Sequence, residues 1–317
     1  MRTLRAHVCA PPPGRLCEGP VWDPRTGELL WVDIRGGHIH RATLTGSTPD
    51  LAPWATISLD PPVSAVLPCA SGGLLATMGD TIFRVDSPVA AERSFEKSPG
   101  GTFAQPLSPV VILPLPDDGV RRRLNDAKVD PRGTLLAGTM SEDGVPDSAA
   151  LYRLDPDGTL ATLRTGVTIS NGLGWSPDGH TLYYADSPTH RVDAFDYDLD
   201  TGTLSEGRPF AHFPDGEPDG LTVDAEGNVW IAVWGAGQVR AFDPSGNPHT
   251  TVEVGPSQVS SCAFAGPDLD VLVITTAAEG GAAREPGAGR LFACVPGVIG
   301  LPSTPFADER LVSADGR

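Results

Sequence analysis

Four short polar runs carry residues whose types and spacing could do chemistry: Glu18-Gly-Pro, Asn125-Asp126, Asn171-Gly172 and Asp219-Gly220. Each stands at the entrance to a short unit of apolar runs and tight turns. The fullest is residues 213–234, where Asp219 precedes an alternating run, a turn at Glu226-Gly227 and the apolar run Val229-Trp-Ile-Ala-Val233. Taken singly, each entrance reads as a solvated turn, since Asn-Gly and charged residues in tight turns are ordinary surface features. Their shared position in successive units changes that reading. If the units point their entrances at one axis, Glu18, Asn171 and Asp219 offer two carboxylates and one amide oxygen around a central point. Hard oxygen donors without thiolate or imidazole suit Ca²⁺, Mg²⁺ or Mn²⁺ better than Zn²⁺.

Other chemistries lack their residues. There is no G-x-S-x-G, no H-E-x-x-H, no P-loop and no G-x-G-x-x-G after a strand. The seven histidines are dispersed. His38 and His40 share one side of a strand and read as surface residues, not ligands. Asp196-Tyr-Asp-Leu-Asp200 departs from an EF-hand loop, because its glycine falls one place late and Gly207 stands where the closing glutamate belongs.

The elements that must position these residues come in a rhythm. Turn markers near residues 23, 71, 131, 177, 225 and 267 precede apolar runs such as Leu29-Leu-Trp-Val32, Leu135-Leu-Ala137 and Leu182-Tyr-Tyr-Ala185. Their spacing of roughly 45 to 60 residues is that of propeller blades. Helical periodicity is nearly absent. The reading is all-β: a six-bladed β-propeller of about 24 strands with a central metal site, preferred over an array of sandwiches. It takes residues 1–317 as a single domain, and residues 1–10 as the outermost strand of the last blade, closing the ring. One unit is longer. Residues 87–120 hold six prolines between Pro88 and Pro116, a strand at Val110-Val-Ile-Leu113 and an excursion from Ala91 to Gln105. That excursion is read as a surface loop, with a lid over the site as the alternative. The tail from Ala307 reads as frayed.

A formal net charge of −17 argues against nucleic acid or anionic membrane as partner. Gly (37) and Pro (32) are abundant without a collagen-like period, which fits many strands joined by tight turns. Five scattered cysteines without C-x-x-C read as reduced, buried thiols. The start, Met1-Arg-Thr-Leu-Arg, lacks the apolar run of a signal peptide, and no run of 18 apolar residues occurs. The expected location is cytoplasmic, with no obligate protein partner evident.

Several segments together resemble one known family. Cys17-Glu-Gly-Pro-Val-Trp-Asp23, Arg123-Leu-Asn-Asp-Ala-Lys-Val-Asp-Pro131, Ala137-Gly-Thr-Met140, Ile169-Ser-Asn-Gly-Leu-Gly-Trp-Ser176, Pro218-Asp-Gly-Leu-Thr-Val-Asp224 and Ser260-Ser-Cys-Ala-Phe264 look like the regucalcin/gluconolactonase-like (SMP-30/gluconolactonase/LRE-like) family. The resemblance runs in order over nearly the whole chain. It implies a six-bladed propeller, one divalent metal in the central channel (Ca²⁺ first, with Mn²⁺, Mg²⁺ or Zn²⁺ as alternatives) and hydrolysis of sugar-acid lactones. Carried over by position, Glu18, Asn171 and Asp219 match the family's metal ligands, and Asp219 also matches its acid/base residue. Arg123 and Asn125 match positions that hold substrate oxygens, with Asp126 beside them. Glu142 or Asp143 fills a further acidic substrate contact, and spacing prefers Asp143. Departures are Cys17 for a usual glycine, Gly174 for a usual aspartate, and the long 87–120 segment, which bears on substrate identity.

The function these readings imply is a metal-dependent lactonase acting on a small sugar lactone. The alternatives are a divalent-metal esterase or phosphotriesterase of the same fold, a non-catalytic calcium-binding regulatory propeller, and a repeat scaffold for protein partners.

Overall fold

The computed structural model describes residues 1–9, 11–46, 49–59, 62–85, 102–103 and 107–308. Six antiparallel sheets follow one another along the chain and form the blades of a six-bladed β-propeller. The innermost strands are, in order, Cys17–Asp23, Val63–Pro68, Arg122–Val129, Ser170–Trp175, Glu217–Val223 and Val259–Ala265. From each of them the chain steps outward through neighbouring strands and then returns to the axis for the next blade. No helix among the described residues is long and apolar enough to cross a membrane.

The second strand of each blade explains why sheets form here. Glu28–Asp33, Val229–Trp234 and Val271–Thr276 are β-branched and aromatic runs, almost wholly buried on both faces. Both faces are covered because each blade packs between two others. Six apolar clusters result, one at each blade-to-blade junction. Leu67, Leu75, Leu124 and Tyr152 join the second and third blades, while Trp230, Val239, Phe264 and Ile274 join the fifth and sixth. Burial of this kind is worth about 1.5–3 kcal/mol per large side chain.

The turn markers are built around aspartates. Asp224 Oδ1 accepts the backbone N–H groups of Glu226 (3.0 Å) and Asn228 (2.9 Å), and Oδ2 accepts Trp230 Nε1 (2.8 Å). Asp130 accepts Arg132 N and Thr134 N in the same way, and Tyr197 OH at 2.6 Å. These carboxylates are used up by the turn, which separates them from the acids at the axis.

Closure comes from both ends of the chain. His7–Val8 pairs with Phe292–Cys294 as the outer strand of the sixth blade, as the sequence leads one to expect. Arg2–Arg5 goes further and adds a parallel fifth strand to the fifth blade. At the other end, residues 299–308 run as a strap across the turn side of the propeller. Ile299 O accepts Ala225 N, Ser303 Oγ donates to Trp22 O, and Phe306 N donates to Pro68 O. Ala307 and Asp308, expected to fray, are held: Ala307 N donates to Gly133 O, and Asp308 accepts Ser71 N (2.9 Å) and pairs with Arg84. The rest of that tail lies outside the described residues.

Phe306 is fully buried between the second and third blades. Phe306→Ala is expected to cost about 3–5 kcal/mol in a denaturant titration. A loss below about 1 kcal/mol would contradict the strap's place in the core.

The long unit ends in the expected strand, Leu107–Ile112, which pairs with Thr81–Val85 as the edge of the second blade. Thr102–Phe103 pairs parallel to the outer strand of the first blade, at Thr56 and Ile57. The remainder of the 91–105 excursion lies outside the described residues.

Candidate functional site

Each innermost strand breaks register with its neighbour at the same height. The shift falls between Glu18 and Val21, Val63 and Ala65, Leu124 and Ala127, Ser170 and Leu173, Pro218 and Leu221, and Val259 and Ser261. A bulge frees residues from the ladder and re-aims side chains. In the first, third, fourth and fifth blades, two residues oppose one, and these include Asn125-Asp126, Asn171-Gly172 and Asp219-Gly220. Glu18 is the last paired residue before the bulge Gly19-Pro20. In the second and sixth blades the freed residue is a serine that satisfies itself. Ser64 Oγ bonds Thr77 Oγ1 at 2.8 Å, and Ser260 Oγ bonds Thr275 Oγ1 at 2.9 Å and Cys17 O at 2.6 Å. The polar entrances therefore gather at one level of the axis.

Glycine lets the strands come this close. A Cβ on Gly172 would lie 2.4 Å from Asp219 O, and one on Gly220 would lie 2.0 Å from Ser261 Oγ. Real Cβ atoms do not approach other atoms so closely, so adjacent blades need these glycines.

A relay of hydrogen bonds orients the amides. Arg123 Nη1 donates to Asn125 Oδ1 (2.9 Å), and Asn125 Nδ2 donates to Asn171 Oδ1 (2.9 Å) and Ser170 O (2.9 Å). Asn171 Nδ2 donates to Ser187 Oγ (2.7 Å), which donates to Pro218 O (2.6 Å), next to Asp219. The Asn171 oxygen keeps lone-pair capacity beyond the bond it accepts.

The carboxylates here have few partners. Gly19 N donates to Glu18 Oε2 (3.0 Å), Ala127 N donates to Asp126 Oδ1 (2.8 Å), and Asp219 accepts from Gly220 N–H. Burial, then the Asp126 charge, pushes Glu18 up to about 8. Burial, then Glu18, then Asp126, holds Asp219 well above the ordinary carboxylate value. Burial also raises Asp126, against the pull of Lys128. Like charges crowded in a desolvated pocket disfavour their own ionisation unless a cation joins them. Among the described residues, no three His, Cys, Asp or Glu side chains stand together as a metal-binding group. Two carboxylates short of partners plus a fixed amide oxygen fit a hard divalent cation.

Arg123 is half-buried; desolvation and then the Arg35 charge lower its pKa, while Glu142, Glu18 and Glu279 support its charge. Asp143 is not brought to this group. It pairs instead with Arg121 (2.6 Å) in an exposed bridge, its side chain 45% accessible. Glu142 pairs with the same Arg121 (3.2 Å), and of the two acids it is the one whose charge supports Arg123. Spacing alone could not decide, since both follow Ser141 in one turn. Ser187 and Lys128 were missed. Ser187 sits in the 3-10 turn Ser187–Thr189, where Ser-Pro reads as a loop signal only.

Below the bulges the channel opens into a cavity of about 290 Å³, lined by groups such as Trp22, Val66, Trp175 and Phe264, with residues 301–304 of the strap at its wall. All five cysteines are buried and free. Burial raises every thiol, Cys9, Cys69, Cys262 and Cys294 to about 12, so none is a ready nucleophile. His40 stacks on Trp31 and bonds Thr56, and burial pushes it down to about 4, a packing role.

Fold and site thus define a class: six-bladed propellers with a cluster of oxygen donors on the axis. The family model described as SMP-30/Gluconolactonase/LRE-like region matches residues 16–278, and the chain belongs to that family. It is 34% identical to regucalcin of Xenopus laevis over 306 residues, covering 92% of this chain and 95% of that one. It is 35% identical over 299 residues, at the same coverages, to a Bacillus subtilis (strain 168) protein provisionally named as sugar lactone lactonase YvrE. The crystal structure of a calcium-binding protein, regucalcin, from Agrobacterium tumefaciens superposes with a TM-score of 0.82 at 26% identity, covering 96% of this chain and 99% of that one.

Proposed function

We propose that this chain, acting as one propeller unit over residues 1–317, is a divalent-metal-dependent lactonase that opens sugar lactones to the free aldonic acids. One observation carries the reading: Glu18, half-buried, and Asp219, buried, stand at one level of the axis with little but their neighbours' N–H groups as partners, beside an amide oxygen held in place by the relay. Glu18, Asn171 and Asp219 would hold the metal, with Ca²⁺ the first choice and Mn²⁺, Mg²⁺ or Zn²⁺ the others. When bound, such an ion polarises the lactone carbonyl and stabilises negative charge on its oxygen.

The chain's own groups supply the rest. Asp219 takes the proton from the attacking water and returns it to the ring oxygen as that oxygen leaves. Arg123 presents its fork to ring or hydroxyl oxygens. Asn125 and Asp126, in the third-blade bulge, fix the sugar's orientation, with Asp143 or its neighbour Glu142 as the acidic contact.

A buffer for calcium alone would not need a cationic guanidinium near its carboxylates, so Arg123 favours catalysis over a regulatory role. The apolar walls of the cavity below the bulges favour, as a second reading, a less polar ester or phosphotriester. Arg123→Ala is expected to raise KM by roughly tenfold or more, with kcat less affected, because it removes substrate contacts. A fall in kcat at unchanged KM contradicts that assignment.

The test is hydrolysis of glucono-, galactono-, arabinono- and xylonolactone, one aliphatic lactone and one phosphotriester by chelator-stripped protein, with and without Ca²⁺, Mn²⁺, Mg²⁺ and Zn²⁺. Metal-restored opening of a sugar lactone supports the proposal. Preference for the aliphatic lactone or the phosphotriester moves the assignment to the second reading. Metal binding without turnover of any substrate overturns both.

A further inference from the structure

The chain contains two lysines, Lys97 and Lys128, against 21 arginines. One of these two lies in the central channel. Lys128 lines the cavity below the bulges, and its Nζ donates to Leu221 O at 2.7 Å, bridging from the innermost strand of the third blade to that of the fifth. The fourth blade stands between those two in chain order, so the side chain spans the channel wall.

Leu221 is the first residue to rejoin the ladder after the Asp219-Gly220 bulge, and Pro218 is the last one paired before it. Both flanking carbonyls are caught by side chains from other blades: Pro218 O by Ser187 Oγ at 2.6 Å, and Leu221 O by Lys128 Nζ. Bulged residues lack ladder bonds, so such side chains decide where they sit. Ser187 belongs to the relay that already holds Asn171. Lys128 is the matching hold from below, and it brings a positive charge to Asp126. An ammonium is compact and can turn its three donors within a narrow channel, whereas a guanidinium is a broad plane. A chain with 21 arginines and two lysines keeps a lysine here.

We propose that Lys128 is a positioning residue for the axial site: reaching across the channel, its ammonium fixes the far end of the Asp219-Gly220 bulge and balances the neighbouring carboxylate of Asp126. This rests on the metal-site reading given above. Lys128 touches neither lactone nor reacting water; it acts through the placement of Asp219.

The test is a calorimetric titration of chelator-stripped wild type, Lys128→Met and Lys128→Arg with Ca²⁺ and Mn²⁺, alongside circular dichroism and kinetics on the best lactone. Folded Lys128→Met is expected to bind metal about 10- to 100-fold more weakly, the effect usual for supporting groups around a metal. Its kcat should fall by a similar factor while KM changes little, and Lys128→Arg should recover only part of either. Removing a positive charge beside a dication, with no positioning lost, has the opposite sign: tighter binding. Lys128→Met with wild-type or tighter metal affinity therefore overturns the inference alone, whereas wild type that binds no divalent ion overturns the metal reading and this inference together.

A measurement on the unaltered side chain guards against a variant that does not fold. With two lysines, ¹⁵N-lysine labelling gives two Nζ signals, assigned by Lys97→Arg. The Lys128 ammonium is expected to exchange slowly with water and to shift at saturating Ca²⁺. Fast exchange, or a signal unmoved by metal, overturns the inference whatever the variants do.

Discussion

Asp219→Asn is expected to lower turnover of the best lactone by about 10³-fold or more and to weaken metal binding in the same protein. Two losses combine. An amide can no longer accept the proton from water, a role worth about 10²–10⁴-fold. The substitution also removes one of two anionic donors from the ion. The effect on stability should have the other sign. In the folded chain Asp219 stands well above the ordinary carboxylate value, first because it is buried and then because Glu18 and Asp126 crowd it. Without metal, the folded state therefore holds this proton more tightly than the unfolded chain does. Metal-free wild type should lose stability as pH rises above the ordinary carboxylate value. Asp219→Asn carries no such charge, so in chelator at neutral pH its melting temperature should equal or exceed that of wild type. A variant that loses activity and melts much lower in chelator would mark Asp219 as a structural residue instead.

Gly172→Ala is the second large effect, and it acts without touching a donor atom. The new methyl would meet Asp219 O at 2.4 Å, Leu221 Cγ at 2.9 Å and Leu221 N at 3.0 Å. Two of the three are backbone, which cannot swing aside, so the fifth-blade strand must shift. Overpacking of this kind costs about 1–3 kcal/mol. The larger consequence is for geometry, since a displacement of about 1 Å at a reacting group can cost 10²-fold in rate. The expected result is a kcat/KM loss of about 10²-fold and a lower melting temperature, with all donors still present. Kinetics close to those of wild type would mean that the fourth and fifth blades are not as tightly joined as the structure has them.

Much of the fold was legible because its signals are local. Asp-x-x-Gly turns recur where Asp130 and Asp224 fold back on their own backbone, and apolar runs such as Val229-Trp-Ile-Ala-Val233 have few options besides a buried strand. The polar entrances could be read as converging because they recur in phase with those turns. What stayed hidden depends on pairing across the chain. The bulges exist only as a register difference between neighbouring strands, and nothing in Asn125-Asp126 or Asp219-Gly220 announces two residues against one. Glu142 and Asp143 are adjacent and both pair with Arg121, a partner 22 positions from Asp143 that no local pattern announces. Lys128 stood inside a quoted motif, yet its partner Leu221 lies 93 residues away. Parallel addition of Arg2–Arg5 to the fifth blade was likewise beyond a reading that placed the N-terminus in the sixth alone.

The most direct test of the site is a calorimetric titration of chelator-stripped wild type with Ca²⁺, beside Glu18→Gln and Asn171→Ala. The expected result is a single ion per chain for wild type, bound at least about tenfold more weakly by each variant, since each removes one of three protein donors. One ion bound with unchanged affinity by both variants would place the metal elsewhere in the molecule and contradict the axial site.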